Sequence, residues 1–277
     1  YTTTAVSLYA PSNTPTLTDG GIVNGASFAP GGPIASGAIV SLFGTRLAPP
    51  GFKREVTPAD LDKITGKLPI ELSRTGADFF VPNVPNPIPA YMLFVSDTQL
   101  NVQVPALPAN YVGPVQAQPV FNRGQGANEV RGNKVTVQVR PISPALFTFP
   151  NSNNAAAVTP GGQPIGHPGQ FPSSIPARPG DVVQVYGTGF GATNPPVDPG
   201  SLAPDVSAPL VSGVSAQIGG LFLAPSDILY AGVAPTFAGL YQFNLRVPAA
   251  APNGDLPIII SAGSVPTQQG VVLTVQQ

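Results

Sequence analysis

The chain is written twice. Gly37-Ala-Ile-Val-Ser-Leu-Phe-Gly-Thr45 returns 143 positions later as Gly180-Asp-Val-Val-Gln-Val-Tyr-Gly-Thr188. Gln99-Leu-Asn-Val-Gln-Val-Pro105 returns at the same offset as Gln242-Phe-Asn-Leu-Arg-Val-Pro248. Two separate blocks held in one register point to two homologous modules in tandem, so the chain must satisfy one fold twice over.

Composition narrows that fold. Pro 36 and Gly 31 together make almost a quarter of the 277 residues, a level that borders on disorder. Disordered chains, however, are highly charged and poor in apolar runs. Here 42% of residues are hydrophobic, clustered into short β-branched runs, and only 9% are charged. Short strands joined by Pro/Gly turns give an all-β reading: two tandem immunoglobulin-like β-sandwiches from an internal duplication, with an extra N-terminal strand. The expected divisions are an extension over 1–16, a first sandwich over 17–143 and a second over 144–277.

Strands are expected at 39–43, 70–72, 91–95, 99–104, 114–119 and 134–140 in the first module. In the second they are expected at 182–186, 214–218, 226–230, 239–247, 256–261 and 271–275. The Thr57-Pro58 pair offers an N-cap followed by proline at the first helical position, which fits a single helical turn. The long coils over 150–179 and 191–210 are expected to pack over sheet edges. Residues 1–10 alternate weakly, with Thr2, Thr4, Val6 and Leu8 on one face and Tyr9 on the other, and read as an added strand.

The repeated blocks resemble the Solibacter-type C-terminal domain, a module of secreted acidobacterial proteins. The likeness lies in Gly21-Ile-Val-Asn-Gly-Ala-Ser-Phe28, Phe94-Val-Ser-Asp-Thr-Gln-Leu-Asn-Val-Gln-Val-Pro105, Ser143-Pro-Ala-Leu-Phe147 and Tyr186-Gly-Thr-Gly-Phe-Gly191. It continues through Ile218-Gly-Gly220 and the run from Tyr230 to Pro248. The half-repeats also resemble IPT/TIG immunoglobulin-like domains. The resemblance implies export and surface association, and it transfers no catalytic residue.

Chemistry-bearing residues are few. The net charge of −1, without a basic stripe, argues against nucleic acid as a partner, and no apolar run is long enough to span a membrane. Zero cysteines remove disulfides, thiol catalysis and thiolate metal sites. The chain starts at Tyr1 and its single methionine is Met92, which fits a processed or trimmed chain. Low charge with many polar uncharged residues suits a secreted, extracellular or cell-surface protein.

His167, the sole histidine, lies in a Pro/Gly loop with no evident partner set for a triad or metal. Asp60, Asp62, Asp198 and Asp205 do not form a calcium loop and read as turn residues. Lys134 would need a buried acid beside it to form an isopeptide bond. Asn101 and Asn244, like Gln99 and Gln242, hold equivalent places and read as amides satisfying backbone groups at strand ends rather than as a paired ligand site. The aromatics Phe43, Tyr186, Phe190, Phe237, Tyr241 and Phe243 could form a sugar-stacking platform. Phe43 and Tyr186, beside turn glycines, are expected in the core.

No catalytic, cofactor or metal site follows from these residues, so the expectation is a non-enzyme without cofactor. The leading expectation is a structural subunit that polymerises with itself into a filament or sheath. In it Thr2, Thr4, Val6, Leu8 and Tyr9 of the N-terminal strand would contact the next subunit. The alternative is a monomeric adhesin or carbohydrate-binding module meeting a surface glycan or matrix. Its candidate loop, 121–133, carries Arg123, Glu129 and Arg131.

Overall fold

The computed structural model describes residues 14–277. The first half contains β1 (Thr16–Asn24), β2 (Ile39–Thr45), β3 (Lys53–Glu55), β4 (Thr75–Phe80) and β5 (Ile88–Pro89), then β6 (Tyr91–Ser96), β7 (Gln99–Gln103), β8 (Gly113–Phe121), β9 (Val130–Arg131) and β10 (Val135–Val139). The second half contains β11 (Ala145–Leu146), β12 (Ala157–Val158), β13 (Val182–Thr188), β14 (Val214–Ile218) and β15 (Leu221–Phe222), then β16 (Ile228–Val233), β17 (Tyr241–Arg246), β18 (Gly254–Ala262), β19 (Val265–Pro266) and β20 (Val272–Val275).

Each half builds two antiparallel sheets. In the first half one sheet runs β1-β2-β7-β6-β3, and the other runs β10-β8-β4-β5 with β9 added beside β8. In the second half the orders are β11-β13-β17-β16, with β12 beside β13, and β15-β14-β18-β19, with β20 beside β18. The all-β, immunoglobulin-like expectation therefore holds. Leu42, Leu100 and Val102 meet Phe79, Val115 and Val137 across one interior. Val183, Val185, Phe243 and Leu245 meet Ile218, Ile258 and Leu273 across the other. Alternate residues fill each interior, as strand geometry requires.

The duplication extends to register. Ile39 faces Gln103 and Phe43 faces Gln99, while Val182 faces Arg246 and Tyr186 faces Gln242. Every one of these positions is matched by the offset that the sequence shows.

One difference from expectation has a physical cause, and two expectations hold. The 70–72 segment is not a strand; only Leu72 makes an isolated bridge, to Thr75. The strand lies just beyond, at β4, whose sequence Thr-Gly-Ala-Asp-Phe-Phe contains a buried aspartate that hides its strand character. Thr57 does open a helical turn, a single 3-10 turn over Pro58–Asp60, closed by the Asp60 carboxylate accepting from Thr57 N at 2.8 Å. The two long coils do lie on sheet edges. Leu210 N bonds Ala231 O at 2.9 Å on β16, and Ala177 N bonds Thr274 O at 3.0 Å on β20. Thr2, Thr4, Val6, Leu8 and Tyr9 lie outside the described residues.

The two halves meet end to end. Thr188 Oγ1, at the end of β13, accepts from Ile39 N, at the start of β2, at 2.8 Å. The Gln103 amide bridges the joint, donating to Gly37 O at 2.9 Å and accepting from Gly200 N at 2.7 Å. Gly200 adopts φ +84, and a β-carbon there would sit 2.3 Å from the Tyr91 ring, so only glycine brings this loop so close to the first half.

Candidate functional site

The outward face of the β13-β17-β16 sheet gathers aromatic and amide side chains in ordered rows. Alternation sends Val183, Val185, Phe243 and Leu245 inward. Gln184, Tyr186, Gln242 and Asn244 therefore project outward, each partly buried. Register places Tyr186, Gln242 and Gly232 in one row across the three strands, and Gln184, Asn244 and Tyr230 in the next. A bulge in β16 between Ile228 and Tyr230 precedes this row, and such irregularities re-aim side chains.

Tyr230 does not stand up from the sheet. Its hydroxyl reaches along its own strand and donates to Val233 O at 2.7 Å. The ring thereby lies over Gly232, where a β-carbon would be 2.6 Å from the hydroxyl oxygen and 2.8 Å from Cζ. The first row thus presents a Tyr186 ring, the Gln242 amide and the Tyr230 ring. Strand spacing separates the outer two positions by about 10 Å. Gln242 Nε2 donates to Asn244 Oδ1 at 2.8 Å, which orients both amides and leaves the Gln242 Oε1 acceptor and the Asn244 Nδ2 donor outside that bond. Burial pushes both phenols above their ordinary pKa, with the Ala208 backbone opposing this at Tyr230, so both stay neutral at physiological pH.

The first module repeats the pattern in altered form. Gln99 Nε2 donates to Asn101 Oδ1 at 2.7 Å, and Ser41 Oγ donates to the same oxygen at 2.9 Å. Phe43 takes the place of Tyr186, and Phe94, opposite Asn101, takes that of Tyr230. These contacts correct two expectations. The paired amides bond each other on a sheet face rather than capping backbone at strand ends. Phe43 and Tyr186 lie on outward faces, outside both cores. Phe190, Tyr241 and Phe243 are core residues, with Phe190 ring centroids 5.6 Å from Tyr241 and 4.5 Å from Phe243. Phe237 is exposed.

The candidate loop engages its charges with one another and with a buried aspartate. Asp78 of β4 is fully buried and accepts from Arg123 Nη1 and Arg131 Nη1, each at 2.7 Å. Arg131 Nε also bonds Glu129 Oε1 at 2.7 Å, and Glu129 Oε2 accepts from Gly124 N at 2.7 Å. The Gly124 backbone N–H, followed by Arg131, holds the Glu129 carboxyl below its ordinary pKa. Arg123, Glu129 and Arg131 are thus brought together, around an aspartate that the sequence reading did not single out. The arrangement anchors the loop to the sheet.

The remaining candidates are engaged locally. His167 Nε2 lies 3.1 Å from the Asp255 carboxylate, and Ser174 bonds the His167 backbone oxygen rather than its ring, so no triad forms. Asp62 Oδ1 closes a turn by accepting from Thr65 N at 2.7 Å. The Lys134 ammonium sits 3.5 Å from the centre of the Phe80 ring, a cation–π contact rather than an acid partner. Among the described residues no group of three or more His, Asp or Glu side chains is placed to hold a metal ion. No helix among them is long and apolar enough to cross a membrane. A cavity of about 260 Å³ lies between the modules, lined in part by Tyr111, Arg140, Thr193 and Tyr241.

Neither a family model nor a curated protein matches the chain. Among solved structures, the surface glycan-binding protein PbSGBP-B from Prevotella bryantii is similar with a TM-score of 0.25 and 11% identity, covering 95% of this chain and 42% of that one. The SGBP-B of the Bacteroides ovatus mixed-linkage glucan utilization locus, in complex with a mixed-linkage heptasaccharide, gives 0.25 and 13%, covering 98% and 47%. The C-terminal domain of the Streptococcus pyogenes antigen I/II-family protein AspA gives 0.22 and 9%, covering 95% and 99%. The chain spans less than half the length of the first two. Likeness at this level fixes neither fold nor function, and the fold assignment rests on the sheets themselves.

Proposed function

We propose that the chain is a non-enzymatic carbohydrate-binding module of the cell surface, with its glycan lying across β13, β17 and β16. The observation that carries this reading is the Tyr230 ring laid over Gly232, level with the Gln242–Asn244 amide pair. Sugar rings present apolar C–H faces, which suit the electron-rich face of an aromatic ring, and hydroxyls at their edges. Amides both donate and accept, so they match hydroxyls without imposing a charge. A neutral polysaccharide is the ligand class that uses both kinds of group at once.

The surface location is part of the proposal, in keeping with the low charge of the chain. The filament reading rests on Thr2, Thr4, Val6, Leu8 and Tyr9, and no contact among the described residues favours it.

Affinity gel electrophoresis against neutral polysaccharides (mixed-linkage β-glucan, xylan, glucomannan) tests the proposal. Retardation by at least one polymer is expected, weakened about tenfold, or ~1.4 kcal/mol, by Tyr186→Ala or Tyr230→Ala. Unretarded migration in every polymer would overturn it.

A further inference from the structure

We infer that the first module carries a second platform for the same ligand class, formed by Phe28, Phe43, Gln99 and Asn101. The inference rests on the reading of the second module as a glycan binder, and it adds a site in the other half of the chain.

Three observations converge. The amide pair is the same in both modules: Gln99 Nε2 to Asn101 Oδ1 at 2.7 Å, and Gln242 Nε2 to Asn244 Oδ1 at 2.8 Å. In both, an aromatic ring stands directly across the strand pair from the glutamine, Phe43 in one and Tyr186 in the other. The third observation belongs to the first module alone. Phe28 leaves 49% of its surface open, and its ring centroid lies 6.2 Å from that of Phe43. It does so at φ +51, a left-handed backbone that is an outlier for a bulky residue.

A phenylalanine that served only as core cover would be buried, and a turn that needed only φ > 0 would be met by glycine. Here the strained backbone holds an apolar ring toward water. Strain of this kind collects where surrounding structure fixes a side chain for a task. The surroundings are rigid: Asn24 Oδ1 accepts from Ala26 N at 2.9 Å, Asn24 O accepts from Phe28 N at 2.9 Å, and Asn24 Nδ2 ties the turn to Ser143 O at 2.8 Å. The ring is thus preorganised, so ordering it on binding costs little. Asn101 Oδ1 is already occupied by Ser41 and Gln99, which leaves Asn101 Nδ2 and Gln99 Oε1 to meet sugar hydroxyls.

The test counts sites. Cellohexaose, xylohexaose, mannohexaose and a mixed-linkage heptasaccharide are titrated calorimetrically into the whole chain, and the tightest binder is carried forward. Two sites per chain are expected, falling to one in Phe28→Ala, to one in Tyr230→Ala and to none in the double variant. Gln99→Leu serves as a second first-module variant should Phe28→Ala fail to fold, and thermal melting checks each protein. A single site that Tyr230→Ala abolishes and Phe28→Ala leaves intact would overturn this inference while the second-module reading stands. Two sites that both survive Phe28→Ala and Gln99→Leu would overturn it as well. Failure of every oligosaccharide to bind would overturn both.

Discussion

The hydroxyl of Tyr230 lies 2.6 Å from the point where a β-carbon on Gly232 would stand. The flat ring and the missing side chain therefore require one another. Gly232→Ala must lift the ring off the sheet, and it also drives a methyl group to 2.4 Å from Ala208 O. The expected result is a loss of polysaccharide retardation comparable to that of Tyr230→Ala. Overpacking adds about 1–3 kcal/mol of lost stability. A melting temperature that falls in Gly232→Ala but far less in Tyr230→Ala, with binding weakened in both, is the signature of this arrangement. Full retardation in Gly232→Ala would show that the ring's position does not matter.

Asp78 has the opposite character: fully buried, charged, and held by two guanidinium groups from a distant loop. Removing one member of a buried ionic cluster leaves the others uncompensated, typically at a cost of about 3–5 kcal/mol. Asp78→Ala should lower the urea midpoint by a corresponding amount and open the loop around Arg123 and Arg131 to proteolysis. Because those charges are engaged with one another and with Asp78, Arg131→Gln should leave polysaccharide retardation unchanged. A retardation lost in Arg131→Gln, with melting preserved, would return the loop to the binding surface.

How far this arrangement was readable from the residues differs from strand to strand. The shared offset made β13 and β17 the counterparts of β2 and β7, but it did not say that the two strands of each module pair, which needs the fold itself. Facing was misread in β13, where Tyr186 was expected in the core although Gln184 shares its parity and a polar residue seldom faces a core. In β2 the signal is weaker, since Ser41 is the one polar residue on the parity of Ile39 and Phe43. The Asp78 cluster was hidden for a different reason. Its partners Arg123 and Arg131 lie 45 and 53 residues away, and nothing local marks Asp78 as buried. The contact of Tyr230 with Gly232, two residues apart on one face, depends on a side chain lying along its own strand instead of standing up from the sheet, which no sequence pattern marks.

Glu71 provides a pH test with a definite sign. Burial pushes its carboxyl above the ordinary value, with Arg123 and Arg74 opposing the shift only in part. A folded-state pKa above the unfolded one means that the protonated form is favoured by folding. The stabilising contribution is therefore complete below the unfolded value near 4.5 and is lost as pH rises through the folded value. Glu71→Gln mimics the protonated form. It should melt higher than the natural protein at pH 7, and the difference should vanish as pH falls below about 4. Equal melting curves at pH 7 would mean that solvent or the arginines offset the burial completely.

The joint between the modules predicts how the chain unfolds. Gly200 lies against Tyr91, and the Gln103 amide satisfies a backbone group from each half. Deleting that amide in Gln103→Ala strands Gly37 O and Gly200 N at the joint, at about 1–3 kcal/mol for buried groups left unpaired. Gly200→Val adds a steric barrier and an unfavourable φ at the same contact. Both changes act on the interface and leave the two hydrophobic interiors intact. Calorimetry should therefore resolve the single cooperative transition expected of the natural protein into two, and small-angle scattering should show a larger radius of gyration. If Gly200→Val instead lowers one undivided transition, the halves fold as a single cooperative unit whose coupling does not pass through this contact.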